Sequence, residues 1–196
     1  MAREPNYRAL VDWLDGTGRN VHSQFGEDGL IESVLARIGE RNRCCFEVGA
    51  HDGVFLSNTK LLRDDGWRAL LIESMPDLFD KLKTGLRPNE TAIHETATPE
   101  NIEGLLTDAN MPIDLDVGII DIDGQDYWMF NALKTFRPRV LVVEYSPYVP
   151  GDVIPDPGGE GQATLQPIID LAESKDYEPL AVTYCNVVLA DKGELK

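Results

Sequence analysis

Apolar residues in this chain fall into short continuous runs, separated by stretches where they recur every three or four positions. That alternation predicts strands and helices laid down in turn. The spacing predicts a first helix from about Asp28 to Ile38, with Leu30, Ile31, Val34, Leu35 and Ile38 on one face and Gly39 ending it. A strand and Gly-bearing turn follow over Cys44–Ala50, then a helical stretch from about Asn58 to Asp65, stopped by Gly66. Ala69–Glu73 reads as a buried strand, Met75–Leu82 as a helix, and Thr91–Thr96 as a weak short strand. Pro99 opens a helix with Ile102, Leu105 and Leu106 inward. Val117–Asp123 is a central strand, Tyr127–Leu133 a helix, and Val140–Tyr145 another buried strand. A Pro- and Gly-rich loop spans Pro147–Gly161, long enough to serve as a lid or binding loop. The last helix covers Leu165–Ser174, and Leu180–Tyr184 with Val187–Ala190 form a closing antiparallel pair. The expected fold class is α/β: a doubly wound, seven-stranded sheet, mostly parallel with one antiparallel edge strand, and helices on both faces.

Length and charge narrow the field. A chain of 196 residues builds one or two domains and a core that needs no disulfide or metal. Acids outnumber bases 34 to 18, for a formal charge of −16. Such a surface repels nucleic-acid phosphates and anionic lipid, so neither is an expected partner. No apolar run approaches the ~20 residues of a bilayer span. The opening MAREPNYRALVDWL has no apolar h-region, so it is not read as a signal peptide. Cys44 and Cys45 are adjacent and point to opposite faces if in a strand, so with Cys185 they read as reduced cysteines. A cytoplasmic location is the expectation.

In doubly wound sheets ligands sit beyond the carboxyl ends of the strands. Those ends carry Glu47, Gly49, Ala50, His51, Asp52 and Gly53 after one strand, and Glu73 and Ser74 after another. Asp121, Asp123, Gly124, Gln125 and Asp126 follow a third, and Glu144, Tyr145 and Ser146 a fourth. Carboxylates often cap the next helix, but four along one sheet edge point to a site. The loop Glu47-x-Gly49-x-x-x-Gly53 lets a ligand approach backbone. It departs from the pyrophosphate fingerprint, and it holds Asp52 and no Lys or Arg. A phosphate would be repelled there; an amino group and a sulfonium would be attracted. Glu73 falls 20 residues after Gly53, where an acid accepts from both ribose hydroxyls.

These segments resemble class I S-adenosylmethionine-dependent methyltransferases, most nearly the FkbM-like branch. The resemblance rests on Ser23–Gly29, Phe46–Gly53 with Leu56–Thr59, Gly66-Trp67 through Glu73, and Ile120–Trp128 with Pro138–Tyr145. It implies S-adenosylmethionine as cofactor, contacted by Glu47, Gly49, Ala50 and Gly53, by Glu73 at the ribose, and by Ser74 and Asp121. It places Gln24, Phe25 and Asn58 near the methionine end and Asp123 beside the transferred methyl. Residues 1–22 are then an N-terminal extension, expected to be helical, and 23–196 a single methyltransferase-like domain. Relatives often carry Gly-Ala-Ser-Leu before the last helix, where this chain has Gly161-Gln162-Ala163-Thr164-Leu165; Ser146 stands where Asn is common. Both departures fall on the acceptor side.

The expected activity is O-methylation of a small-molecule hydroxyl, a sugar or natural product, with Asp123, Glu144 or His51, in that order, as general base. A variant adds Mg²⁺ or another divalent cation on Asp123, Asp126 and Glu144. Tyr127, Trp128, Tyr145 and Tyr148 are candidates to stack on an acceptor ring. The alternative is a non-catalytic S-adenosylmethionine-binding or interaction protein on the same scaffold. A nicotinamide dehydrogenase is opposed by Asp52 and the missing third glycine. Self-association into a homo-oligomer is left open.

Overall fold

The computed structural model describes residues 5–196. The buried apolar runs form β2 (Cys44–Val48), β3 (Arg68–Glu73), β5 (Val117–Ile120) and β6 (Val140–Glu144), and the weaker run forms β4 (Glu90–His94). Between them lie α1 (Glu27–Ile38), α2 (Lys60–Asp64), α3 (Pro76–Thr84), α4 (Ile102–Asp108) and α5 (Asp126–Ala132). The chain ends in α6 (Leu165–Ser174), β7 (Tyr177–Thr183) and β8 (Asn186–Asp191), and opens with β1 (Tyr7–Ala9).

The sheet among the described residues has eight strands, not seven, in the order β1-β7-β8-β6-β5-β2-β3-β4. β2 to β6 are parallel, whereas β8 runs against both β6 and β7. An antiparallel edge is present, and β1, which pairs with β7, forms it. The extra strand comes from the segment expected to be helical. Its apolar residues build only a 3-10 turn at Asp12–Leu14, while Tyr7–Ala9 pair with Thr183–Ala181. Tyr7 Oη closes this segment by donating to the Leu14 carbonyl at 3.2 Å and accepting from Gly18 N–H at 3.0 Å. Residues 1–4 of that expected extension lie outside the described residues.

Alternation along the strands divides the core. Phe46 and Val48 of β2 pack with α4, α5 and α6 through Ile102, Leu106, Met129, Phe130 and Ile168. Cys45 faces the other way, toward Leu30, Ile31 and Val34 of α1, Leu62 and Leu82. Cys44 and Cys45 are thus buried on opposite faces, as the pattern predicts.

At the sheet edge away from the site, Asp116 clamps the amino ends of the central strands. It accepts from the N–H groups of Arg41, Asn42 and Arg43 and from Arg139 Nη1 at 2.6 Å. Burial alone pushes its carboxyl up, but the Arg139 and backbone donors prevail and hold it below the usual carboxylate range. Asp116→Ala removes the acceptor shared by three backbone N–H groups and Arg139 Nη1, while Glu194 still pairs with Arg139; denaturant unfolding is expected to show a loss of roughly 1–3 kcal/mol.

Candidate active site

The order of strands reverses between β2 and β5: β3 and β4 lie to one side, β5 and β6 to the other. That switch point opens a cleft at the carboxyl edge. A cavity of about 850 Å³ lies there, large enough for a nucleoside-sized ligand and part of a second molecule.

The loop after β2 is built around two carboxylates. Glu47 is buried and accepts from Asn58 N–H at 2.9 Å, Ser57 Oγ at 2.7 Å and Thr59 Oγ1 at 2.6 Å. These bonds tie Ser57–Thr59 to the end of β2, and α2 starts at Lys60 rather than Asn58, with Thr59 at its N-cap. Glu73 accepts from His51 N–H and Met75 N–H, each at 2.7 Å, one on each oxygen. Gly49 and Ala50 donate their N–H groups to the Ile72 carbonyl. Buried Arg63 supports the loop from below through the Gly53 carbonyl and an ion pair with Glu90.

Gly49 has φ +81°, and a Cβ there would stand 1.7 Å from the Asp121 carbonyl oxygen. Its need for glycine is therefore the close approach of two loops, before any ligand is considered. Gly53 (φ +75°) does not line the cavity; a Cβ there would meet Leu82 at 2.5 Å. It shapes the loop from outside the cavity lining.

On the other side of the switch point, Asp126 accepts from the N–H groups of Ile122 and Gly124, each at 2.9 Å. These bonds end β5 at Ile120, short of the expected Asp123, and put Asp123 in a left-handed conformation with φ +56°. Asp123 N–H donates to Glu144 Oε2 at 3.1 Å, and Gln162 Nε2 donates to the same oxygen. Asp121 and Glu144 stand side by side just past the paired ends of β5 and β6 and line the same cavity. Burial, then the charges of Asp126 and Asp123, push the Glu144 carboxyl up to about 7. Burial, then Glu144 and Asp126, push Asp121 well above the usual range. Burial pushes Asp126 to about 6.

The cavity brings together most of the sequence-predicted residues: Gln24, Glu47, Gly49, Ala50, His51, Asn58, Glu73, Ser74, Asp121, Asp123 and Glu144. Phe25 is not among them; its ring lies against Tyr184, 5.1 Å between centroids. Asp126 is fully buried with both oxygens given to backbone donors, and it does not line the cavity. The divalent-cation set of Asp123, Asp126 and Glu144 is therefore not formed. Among the described residues no group of three or more His, Cys, Asp or Glu side chains is placed to hold a metal ion.

Of the four aromatic candidates only Tyr127 and Trp128 meet, edge-on with 5.1 Å between centroids. Tyr145 is buried and donates to the Thr183 carbonyl, while exposed Tyr148 meets Tyr184 edge-on. Trp128 lines the cavity and donates Nε1–H to the Pro155 carbonyl at 2.8 Å. Gln125 holds the same long loop through Gly158 N–H and the Gly159 carbonyl. Pro157 and Gly158 thereby become part of the cavity wall.

Sequence reasoning missed Thr96–Pro99 beyond β4, and Asn186 at the start of β8. The first was findable, because β4 was recognised and its carboxyl end faces the same edge. Asn186 escapes a rule about carboxyl ends, since an antiparallel strand presents its amino end there.

A cationic nucleoside such as S-adenosylmethionine fits this lining. Glu47, Glu73, Asp121, Asp123 and Glu144 surround it, and its basic residues are His51 and Lys134. The buried Asn58 Oδ1 has no protein donor, so an acceptor waits for a ligand's N–H.

No protein-family model matches the chain, and no curated protein matches it. Solved structures do. One is a putative S-adenosylmethionine dependent methyltransferase from Listeria monocytogenes, 9% identical, with TM-score 0.55 over 84% of this chain and 97% of that one. Another is magnesium protoporphyrin IX methyltransferase from Synechocystis PCC 6803 with bound SAH, 12% identical, with TM-score 0.52 over 83% and 79% of the two chains. The chain has the fold of S-adenosylmethionine-dependent methyltransferases. No helix among the described residues is long and apolar enough to cross a membrane.

Two outcomes follow from the geometry. Gly49→Ala must move the Asp121 loop, so it is expected to lower the melting temperature of the ligand-free protein by several degrees. An unchanged melting temperature would place its glycine requirement at the ligand alone. Glu144 and Asp126, pushed up in the folded chain, keep protons that the unfolded chain loses from about pH 4.5. Stability from them is fully present below that pH and is lost as pH rises through about 6 to 7. Melting curves from pH 5 to 8 are expected to fall more steeply for the wild type than for Glu144→Gln.

Proposed function

We propose that this chain is a cytoplasmic S-adenosylmethionine-dependent O-methyltransferase of the FkbM-like branch, acting on a hydroxyl of a sugar or natural product. The observation that carries the reading is the acidic cavity itself. It runs from a ribose-type acceptor at Glu73 to a carboxyl pushed to about 7 at Glu144.

Each Glu73 oxygen accepts one backbone N–H and has a second lone pair, enough for two ribose hydroxyls. Asn58 Oδ1, with Gln24 beside the same cavity, is suited to the amino end of methionine. The cofactor, when bound, supplies an electrophilic methyl on sulfonium. Glu144 then receives the hydroxyl proton of the acceptor. Near neutral pH its carboxyl is partly ionised, which suits a general base. We place Glu144 ahead of Asp123, whose side chain is exposed, and of His51, whose ring lies on Phe55. Asp123 N–H and Gln162 hold the Glu144 carboxyl in place, and the remaining contribution is alignment of acceptor and methyl.

Titration calorimetry is expected to show Glu73→Ala weakening S-adenosylhomocysteine about ten-fold or more. Glu144→Gln should keep that affinity and lower transfer of labelled methyl to a metabolite extract by roughly 10²–10⁴-fold. Unchanged affinity in the first variant would remove Glu73 from the cofactor site. Unchanged transfer in the second would remove Glu144 as base.

A further inference from the structure

We propose that the β6–β8 end of the cavity is a subsite for a protonated amine, carried by the acceptor beside its reacting hydroxyl. Calling that ligand the acceptor rests on the methyl-transfer reading; the cation subsite rests on the geometry below.

Asn186 opens β8 directly opposite Glu144 in the sheet register. It is 2% exposed and lines the cavity. Its Nδ2 donates to Glu27 Oε1 at 3.2 Å, and Glu27 also accepts from Thr183 Oγ1 at 2.8 Å and Phe25 N–H at 2.8 Å. Three donors converging on one carboxylate fix which end of the amide faces it. The other end, Oδ1, finds no protein donor. A buried acceptor without a donor costs stability unless a ligand or solvent supplies one.

Strand order separates this acceptor from the ribose end of the cofactor site. β8 stands three strands from β2 and four from β3. At about 4.8 Å per strand that is ~14 Å from the strand of Glu47 and ~19 Å from that of Glu73. Asn186 therefore lies away from the ribose end; amine binding that persists with S-adenosylhomocysteine bound assigns it to a second ligand, whereas displacement by S-adenosylhomocysteine would assign it to the cofactor's own amino group and overturn the proposal.

The chemistry of that ligand follows from its surroundings. Asp123 and Glu144 line the same end, while the cavity's basic residues, His51 and Lys134, lie on the loop after β2 and beyond α5. A hydroxyl would satisfy Asn186 Oδ1 and leave the crowding of carboxylates unrelieved. An ammonium group satisfies Oδ1, spends its other two donors on carboxylate oxygens, and offsets their repulsion. It is also compact, as a site between adjacent strands requires.

The test uses matched probes: D-glucosamine against D-glucose, and 2-aminocyclohexanol against cyclohexane-1,2-diol. Each is titrated into isotope-labelled protein, with and without S-adenosylhomocysteine, while the Asn186 side-chain amide is followed by nuclear magnetic resonance. At pH 7.5 the amine of each pair is expected to shift that amide and to bind roughly ten-fold more tightly than its partner. Asn186→Leu and Glu144→Gln should each abolish the preference while keeping affinity for S-adenosylhomocysteine. If Asn186→Leu loses that affinity as well, Glu144→Gln alone decides. Equal binding within each pair, or no response at Asn186 up to the solubility limit, overturns the proposal. An amine preference in a protein that does not bind S-adenosylhomocysteine would keep the cation subsite and overturn the methyl-transfer reading.

Discussion

A carboxylate buried at the carboxyl end of a strand must find donors, and in this chain it finds them in the backbone of neighbouring loops. Glu47 takes the N–H of Asn58, Glu73 those of His51 and Met75, Asp126 those of Ile122 and Gly124, and Glu144 that of Asp123. Asp28 does the same before α1, gathering the N–H groups of Val21, His22 and Ser23. Loop N–H groups at a sheet edge would otherwise be orphaned donors. The bonds fix the loops, and the fixed loops define the cavity.

The same arrangement sets the electrostatics. A carboxylate that accepts backbone N–H groups remains a concentration of negative charge in a cleft of low dielectric. At the paired ends of β5 and β6, Asp121 and Glu144 are neighbours, and protons are retained to relieve the repulsion. The acidity of the cavity is thus the by-product of how its loops are built and the reason it suits a cationic ligand.

Much of this was legible from the sequence, for identifiable reasons. Strands buried on both faces read as continuous apolar runs, so β2, β3, β5 and β6 were found within a residue or two except where side-chain bonds intervened. Those exceptions are instructive: β5 ends early because Asp126 turns the backbone, and α2 begins late, past the Ser57–Thr59 segment that Glu47 ties to β2. Strand β1 was illegible because three residues pairing with β7 carry no period of their own, and Leu10, Val11, Trp13 and Leu14 mimic a helical face. The site was legible where it follows the carboxyl ends of parallel strands. It was not where β8 enters from the opposite direction with Asn186, nor where Asp126 is fully buried and stands outside the cavity lining.

Calorimetric titration of S-adenosylmethionine and S-adenosylhomocysteine, in buffers of different ionisation enthalpy, weighs the coupling of charge and ligand most directly. The two ligands differ by one methyl and one positive charge. A cation favours the ionised carboxylates, so S-adenosylmethionine is expected to release protons as it binds near pH 6.5, and its affinity to rise from pH 6 to 8. The uncharged sulfur of S-adenosylhomocysteine should show a smaller dependence. Parallel pH profiles for the two ligands, with no proton release for either, would contradict an acidic cavity built to receive a cation.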